Sequence, residues 1–173
     1  MPTPTPPGTV RPTTPADLPD LARLWNDAAV MRHVGFPDGL GITADDLGRW
    51  WDALDGDPRR RHLTIEAPDL GYCGEAHDRA DPAGETATVD IKLRPAAQGR
   101  GLGALGLSAA LDELFGRDLA RRATVDPHRD NAPALRLYER LGFRPDPEGS
   151  TAEGHVVLAV TAAAWAARSA RPG

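Results

Sequence analysis

"QGRGLGALG", Gln98–Gly106, carries two overlapping glycine patterns. Gly101, Gly103 and Gly106 spell the G-x-G-x-x-G of a dinucleotide-binding turn, while Gln98, Gly101 and Gly103 spell Q-x-x-G-x-G. Either can cradle phosphate. Without side-chain bulk at Gly99, Gly101 and Gly103, successive backbone N–H groups can point at one place, and the helix that follows adds its positive end. An exposed helix end contributes only about 0.3–1 kcal/mol, so the amides must supply much of the grip. Arg100 can add a charge-assisted bond to phosphate, or stand as a solvated loop arginine. The remaining option is a glycine-rich connection with no ligand.

The flanking residues discriminate between these readings. Upstream, "TATVDIKL" (86–93) alternates Val89, Ile91 and Leu93 with Thr88, Asp90 and Lys92, the period of a half-buried strand. "RPAAQGR" then separates Leu93 from Gly101, whereas a dinucleotide fold runs its strand almost directly into the first glycine. Asp126 stands where a ribose-binding acid belongs. Too little of the 173-residue chain follows it to complete a doubly wound sheet. The dinucleotide reading is the weakest of the three.

Further out, residues 1–9 form a Pro- and Thr-rich tail, residues 10–168 a single domain, and residues 169–173 a short C-terminal tail. A short strand, "TVR", precedes Thr14, which with Pro15 and Asp17 signals a helix start; Leu18, Leu21, Leu24 and Trp25 give its apolar face. Thr43 and Asp46 repeat the signal for "ADDLGRWWDAL", and "GFPDGLG" between the two helices reads as loop. "HLTIEA", "GYCGEAHD" and "TATVDIKL" read as three strands, the last two joined by the hairpin "RADPAGE". Beyond the glycines, Leu107, Leu111, Leu114 and Phe115 mark a helix and "RATV" a strand. Ala134, Leu137, Tyr138 and Leu141 mark a second helix with Gly142 at its C-cap, followed by the strand "HVVLAV" and the terminal helix "TAAAWAAR". This order predicts a mixed α+β sheet.

Composition bounds the function. A net charge of −5 argues against nucleic acid as the main ligand. Cys73 is the only cysteine, so no internal disulfide forms and a reducing cytoplasm is expected. No apolar run approaches a membrane span and the N-terminus has no apolar signal core, which predicts a cytoplasmic protein without membrane contact.

"LRPAAQGRGLG" and "NAPALRLYERLGF", the latter starting at Asn131, together resemble the two signature segments of the GNAT superfamily of acetyl-CoA-dependent N-acetyltransferases. "VRPTTPADLPDLARLWND" is similar to that family's first strand and helix, so the match covers roughly residues 10–160. "WNDAAVMRHVG", "YCGEA" and "VDIKLRP" are similar to the branch of Rim-type ribosomal-protein acetyltransferases and their small-molecule relatives. The resemblance implies a mixed, mostly antiparallel sheet of about six to seven strands flanked by helices, with central strands that splay to hold acetyl-CoA.

It also implies roles. Gln98, Gly99, Arg100, Gly101, Leu102 and Gly103 hold the pyrophosphate, the exposed backbone of Leu93 pairs with the pantetheine arm, and Asn131 contacts the cofactor. Asn131 also suits a helix N-cap. Tyr138 maps onto the general acid near the thioester sulfur, since a phenol matches the basicity of the departing thiolate; its apolar helix face suits core packing equally. Ala87 or Thr88 stands where many relatives carry Glu, so the general base is assigned to Glu75 on the preceding strand, with Glu85 and Asp90 behind it. Cys73 reads as core and His128 as surface, and attack is direct, within a ternary complex.

The acceptor is expected to be a primary amine, a small cationic molecule or a protein or peptide N-terminus. "GFPDGLGITADDLGRWWDALDGD" offers Asp38, Asp45, Asp46 and Asp52 beside Trp50 and Trp51. Asp45, Asp46 and Trp50 are therefore the expected acceptor contacts, an acidic wall with an aromatic ring; the bland reading is a solvated helix face. No metal is expected, and the protein is a monomer or homodimer. A non-catalytic acyl-CoA-binding module of the same fold is the alternative.

Overall fold

The structure, a computed structural model, describes residues 7–149 and 152–169. The first six residues and the last four, which fall in the expected tails, lie outside the described residues. Seven strands form one sheet: β1 (Thr9–Pro12), β2 (Arg60–Ala67), β3 (Gly71–Ala80), β4 (Thr86–Leu93), β5 (Arg122–Val125), β6 (Arg144–Pro145) and β7 (Leu158–Thr161). Their order is β1-β2-β3-β4-β5-β7-β6. All pairings are antiparallel except β4 with β5. The expected mixed, mostly antiparallel sheet is what forms, and its order excludes the doubly wound parallel sheet of a dinucleotide fold.

Six helices accompany it: α1 (Leu18–Trp25), α2 (Ala28–Met31), α3 (Ala44–Asp55), α4 (Leu102–Gly116), α5 (Ala132–Arg140) and α6 (Ala162–Ser169). At the first start signal the Asp17 carboxylate accepts from the Thr14 N–H and hydroxyl and pairs with Arg11. The chain there makes one 3-10 turn before α1 begins. At α3 the capping box is complete: the Asp46 N–H donates to Thr43, and Thr43 donates back through its N–H and hydroxyl. The four-residue α2, capped by Asp27, and the two-residue β6 were not foreseen. Both are too short to leave a periodic signal.

Helix α4 packs on β1 to β4 from one side. Its Leu102, Leu107, Ala110, Leu111 and Leu114 are fully buried against Leu63, Ile65, Ala76 and Val89 of the sheet. Gly106 fits there because a Cβ would collide with the Ile65 side chain. The third glycine of the dinucleotide pattern is thus a packing residue. Helices α1 and α3 cover the opposite face, where Leu21, Leu24, Trp25, Met31 and Leu47 form a second cluster with Tyr72.

That second face carries polar side chains. Thr64, His62, Glu75 and Lys92 alternate with the apolar residues of β2 to β4, and all four are buried. On the polar side of β4, read from "TATVDIKL" as a half-buried strand, Thr88 is exposed and Asp90 partly buried, and only Lys92 departs from the expectation by being buried. Such burial requires partners.

Candidate active site

Strands β4 and β5 pair only from Thr86 to Thr88, against Arg122 to Thr124, and then part company. The half of β4 running to Leu93 has no neighbour on that side. A cavity of about 680 Å³ opens in the gap. Leu93, Gln98, Gly99, Gly101, Gly103, Asn131, Leu137 and Tyr138 are among its lining.

The glycine loop is built for this position. Gly101 is the N-cap residue of α4 with φ +80°, a left-handed backbone that favours glycine. The first N–H groups of α4 have no intrahelical partner, so an anion-binding helix end faces the cavity. Gln98 donates from its amide to the Leu93 carbonyl at 3.2 Å, tying the loop to the strand end. Two expected cofactor contacts stand elsewhere. Arg100 makes a two-oxygen contact with Asp69 at 2.8 and 3.0 Å, and Leu102 is wholly buried in the core; neither lines the cavity.

Asn131 caps α5, as foreseen, by accepting from the Ala134 N–H, and the residue also lines the cavity. Tyr138 packs edge-on against Phe143, with ring centroids 5.5 Å apart, and is 5% exposed. Among the described residues its hydroxyl has no hydrogen-bond partner, although the residue lines the cavity. Burial first, and then the carboxylates of Asp90 and Asp126, push its pKa above the ordinary phenol value. The hydroxyl is thus a protonated donor at neutral pH.

A second cavity, about 320 Å³, is lined by Trp25, Met31, Val34, Phe36, Leu40, His77, Asp90 and Lys92. Val34, Asp90 and Lys92 line both cavities, so the two meet on β4. Val34, Phe36 and Leu40 are also the large apolar side chains that the described surface leaves most exposed.

Glu75 lies beneath this floor, fully buried. The Trp25 indole N–H donates to Oε1 at 2.7 Å, the Lys92 ammonium stands 3.3 Å from the same oxygen, and His62 Nε2 makes a very short contact with Oε2. Burial alone would raise its pKa, but His62 and Lys92 outweigh that and hold the carboxylate well below its usual range. Glu75, the expected base, lines neither cavity, and both its oxygens are engaged. Glu85, one of the alternatives, stands exposed beside Arg121, away from both cavities. Asp90, the other, lies where the cavities meet, with Lys92 in close contact and its Oδ1 accepting from the Ile91 N–H.

The expected acceptor wall is displaced as well. Asp45 is exposed, and Asp46 is spent on the α3 cap and on Arg49 at 2.5 Å; neither lines a cavity. Trp50 packs edge-on against Trp25 at 4.9 Å and His62 at 5.0 Å, as a wall behind the buried network. The cavity residues missed in the sequence are His77, Lys92 and the Val34–Leu40 segment. His77 was findable by parity, two residues beyond Glu75 on the same strand face.

His62, Glu75 and His77 present donor atoms within 4.8 Å of one another, a spacing that could admit a metal ion. Against that, the Lys92 ammonium already neutralises the carboxylate, and Thr13 occupies His62 Nδ1 at 2.8 Å. Two of the three donors are thus already engaged, and His77 alone of the set makes no hydrogen bond among the described residues.

Residues 9–144 match the acetyltransferase (GNAT) domain. The chain belongs to the GNAT acetyltransferase family. It is an acetyl-CoA-dependent N-acetyltransferase. It is 33% identical over 144 residues to an N-acetyltransferase of Streptomyces griseus, covering 79% of this chain and 73% of that one. It is 32% identical over 140 residues to the phosphinothricin N-acetyltransferase of Streptomyces coelicolor, covering 78% and 81% respectively. Its fold superposes on the spermidine N-acetyltransferase of Vibrio cholerae, solved with CoA and spermine, with TM-score 0.80 at 20% identity over 92% of this chain and 98% of that one. Among the described residues no helix is long and apolar enough to cross a membrane.

Proposed function

We propose that this acetyltransferase moves the acetyl group to a primary amine, a small cationic molecule, by direct attack in a ternary complex. The observation that carries the proposal is the meeting of the two cavities at Asp90 and Lys92. Acetyl-CoA would lie in the larger one, its pyrophosphate at Gln98–Gly103 and its pantetheine arm along the free edge of Leu93. Asn131 would contact it and Tyr138 would protonate the leaving thiolate. The amine would enter through the smaller cavity. About 320 Å³ suits a small molecule better than the peptide N-terminus that a Rim-type enzyme would take. The small-amine relatives, named for phosphinothricin and spermidine, support the same choice. The apolar lip of Val34, Phe36 and Leu40 favours an amine that carries hydrocarbon beside its charge.

The test is thiol release from acetyl-CoA across a panel of phosphinothricin, spermidine, 2-phenylethylamine, an aminoglycoside and an N-terminal peptide. Release with at least one small amine, matched by an acetylated product of the right mass, is expected. Tight acetyl-CoA binding with no amine-dependent release would make the protein a binding module instead.

Two variants probe the placement of the substrates. Gly101→Val forces a β-branched residue into left-handed backbone, at about 1–2 kcal/mol, and crowds the amides that face the cavity. Acetyl-CoA affinity should fall at least about tenfold by calorimetry, since about 1.4 kcal/mol corresponds to tenfold. Unchanged affinity in folded protein would move the pyrophosphate elsewhere. Asp45→Asn together with Asp46→Asn should leave the acceptor KM unchanged at low and high salt, because neither carboxylate lines a cavity. Its cost should be stability, about 1 kcal/mol for the weakened cap. A KM that rises, and rises less in salt, would restore the acidic wall.

A further inference from the structure

We infer that His77 is the general base of this enzyme: its imidazole takes the proton of the acceptor ammonium in the smaller cavity, with Glu75 behind it to hold the imidazolium. The inference rests on the acetyl-transfer reading above and adds the proton acceptor that reading lacks.

Three observations carry it. First, His77 is the imidazole lining the acceptor cavity, and its side chain is 35% exposed. His62, stacked against it at 5.7 Å, is buried with both ring nitrogens engaged by Thr13 and Glu75. Second, His77 makes no hydrogen bond among the described residues. Its buried Nδ1 has no partner and stands 4.0 Å from Glu75 Oε1, too long for a hydrogen bond and short enough to become one. Once Nε2 takes a proton, the Nδ1–H has a fully buried carboxylate to turn to. Third, His77 sits directly opposite Asp90 in the β3–β4 register, where the two cavities meet.

The charges around the ring fit a base that works on an ammonium. Glu75 on its own strand, Asp90 and Lys92 on β4, and His62 on β2 are the titratable groups that face it. Two carboxylates against one ammonium leave the floor attractive to a cation. The cavity residues from the helical side, Trp25, Met31, Val34, Phe36 and Leu40, carry no ionisable group. Their apolar surface disfavours the charged amine and so eases its deprotonation. Burial lowers the pKa of His77 below its ordinary value, so the ring is neutral and able to accept at pH 7.

The protons balance. The acceptor ammonium gives one proton to His77 Nε2, which later passes it to solvent. The free amine then attacks the thioester carbonyl; a C–N bond forms and the C–S bond breaks. The second nitrogen proton is lost as the amide forms, and the thiolate gains one from Tyr138, which is reprotonated. One proton is released overall for each acetyl group moved.

The experiment measures kcat/KM for His77→Gln against pH, with spermidine, phosphinothricin and 2-phenylethylamine as probes, and acetyl-CoA affinity by calorimetry. The wild-type profile should be flat between the pKa of His77 and that of the amine. The variant should bind acetyl-CoA as wild type does. At pH 7 it should lose about 10²–10⁴ in kcat/KM, and the loss should shrink about tenfold per pH unit as free amine accumulates. Imidazole added to His77→Ala should restore part of the rate. A variant that keeps the wild-type rate, or a lowered profile that stays flat, overturns the assignment of His77 alone. Wild-type protein that releases no thiol with any probe overturns the acetyl-transfer reading, and this inference with it.

Discussion

Tyr138→Phe should lose about 10²–10⁴ in kcat while keeping its fold and its affinity for acetyl-CoA. The ring does the packing, against Phe143, and phenylalanine supplies the same ring. The hydroxyl makes no hydrogen bond among the described residues, so its removal strands no partner and should cost little stability. What goes is the O–H of a residue that lines the larger cavity. The raised pKa keeps that proton in place throughout neutral pH, so the wild-type rate should show no fall from Tyr138 ionisation below pH about 10. A folded variant with undiminished kcat, under conditions where chemistry limits the rate, would leave Tyr138 as a packing residue only.

Glu75→Gln should be the most destabilising substitution in the polar face of the sheet. The carboxylate is wholly buried and joins Lys92, His62 and the Trp25 indole in one network. Glutamine keeps the size but leaves the buried Lys92 ammonium with Asp90 alone. Breaking a buried pair from one side costs about 3–5 kcal/mol, which urea titration reads as a lower midpoint at unchanged slope. The wild-type pH dependence has a definite sign. The folded pKa of Glu75 is depressed, so its contribution is fully present above the unfolded value of about 4.3 and is lost as pH falls through the folded value. Below pH about 4, wild type should therefore lose its advantage over Glu75→Gln. A variant within about 1 kcal/mol of wild type at pH 7 would mean that the network contributes little.

The glycine loop and the second signature segment were legible because each position answers one physical demand. Gly101 must be left-handed, Asn131 must cap a helix, and Gly142 must end it at φ +93°. All the strands but β6 were readable from the sequence to within a few residues, β4 from its alternation. Alternation could not report that Lys92, on the polar side of β4, is buried, since period two records side-chain parity and not what lies above the sheet. That is why Lys92 looked solvated and why Glu75 looked reachable. The charges of α3 stand apart from both cavities for a different reason. The helical period of α3 buries Leu47 and Leu54, which turns Asp45 and Asp52 to the outside; charge was read there without the face. The smaller cavity, where we place the acceptor, draws on α1, α2, β3, β4 and the segment before α3, and no local pattern joins segments so far apart.

The central claim is that acetyl transfer takes place where the two cavities meet. A crystal structure of the protein with acetyl-CoA and the best amine of the panel tests it most directly. The pyrophosphate should lie on the amides of Gln98–Gly103, the pantetheine along Leu93, the thioester sulfur within hydrogen-bonding distance of the Tyr138 hydroxyl, and the amine beside His77 and Asp90. A pyrophosphate bound away from the glycine loop, or an amine bound on the outer face of α3, would contradict it.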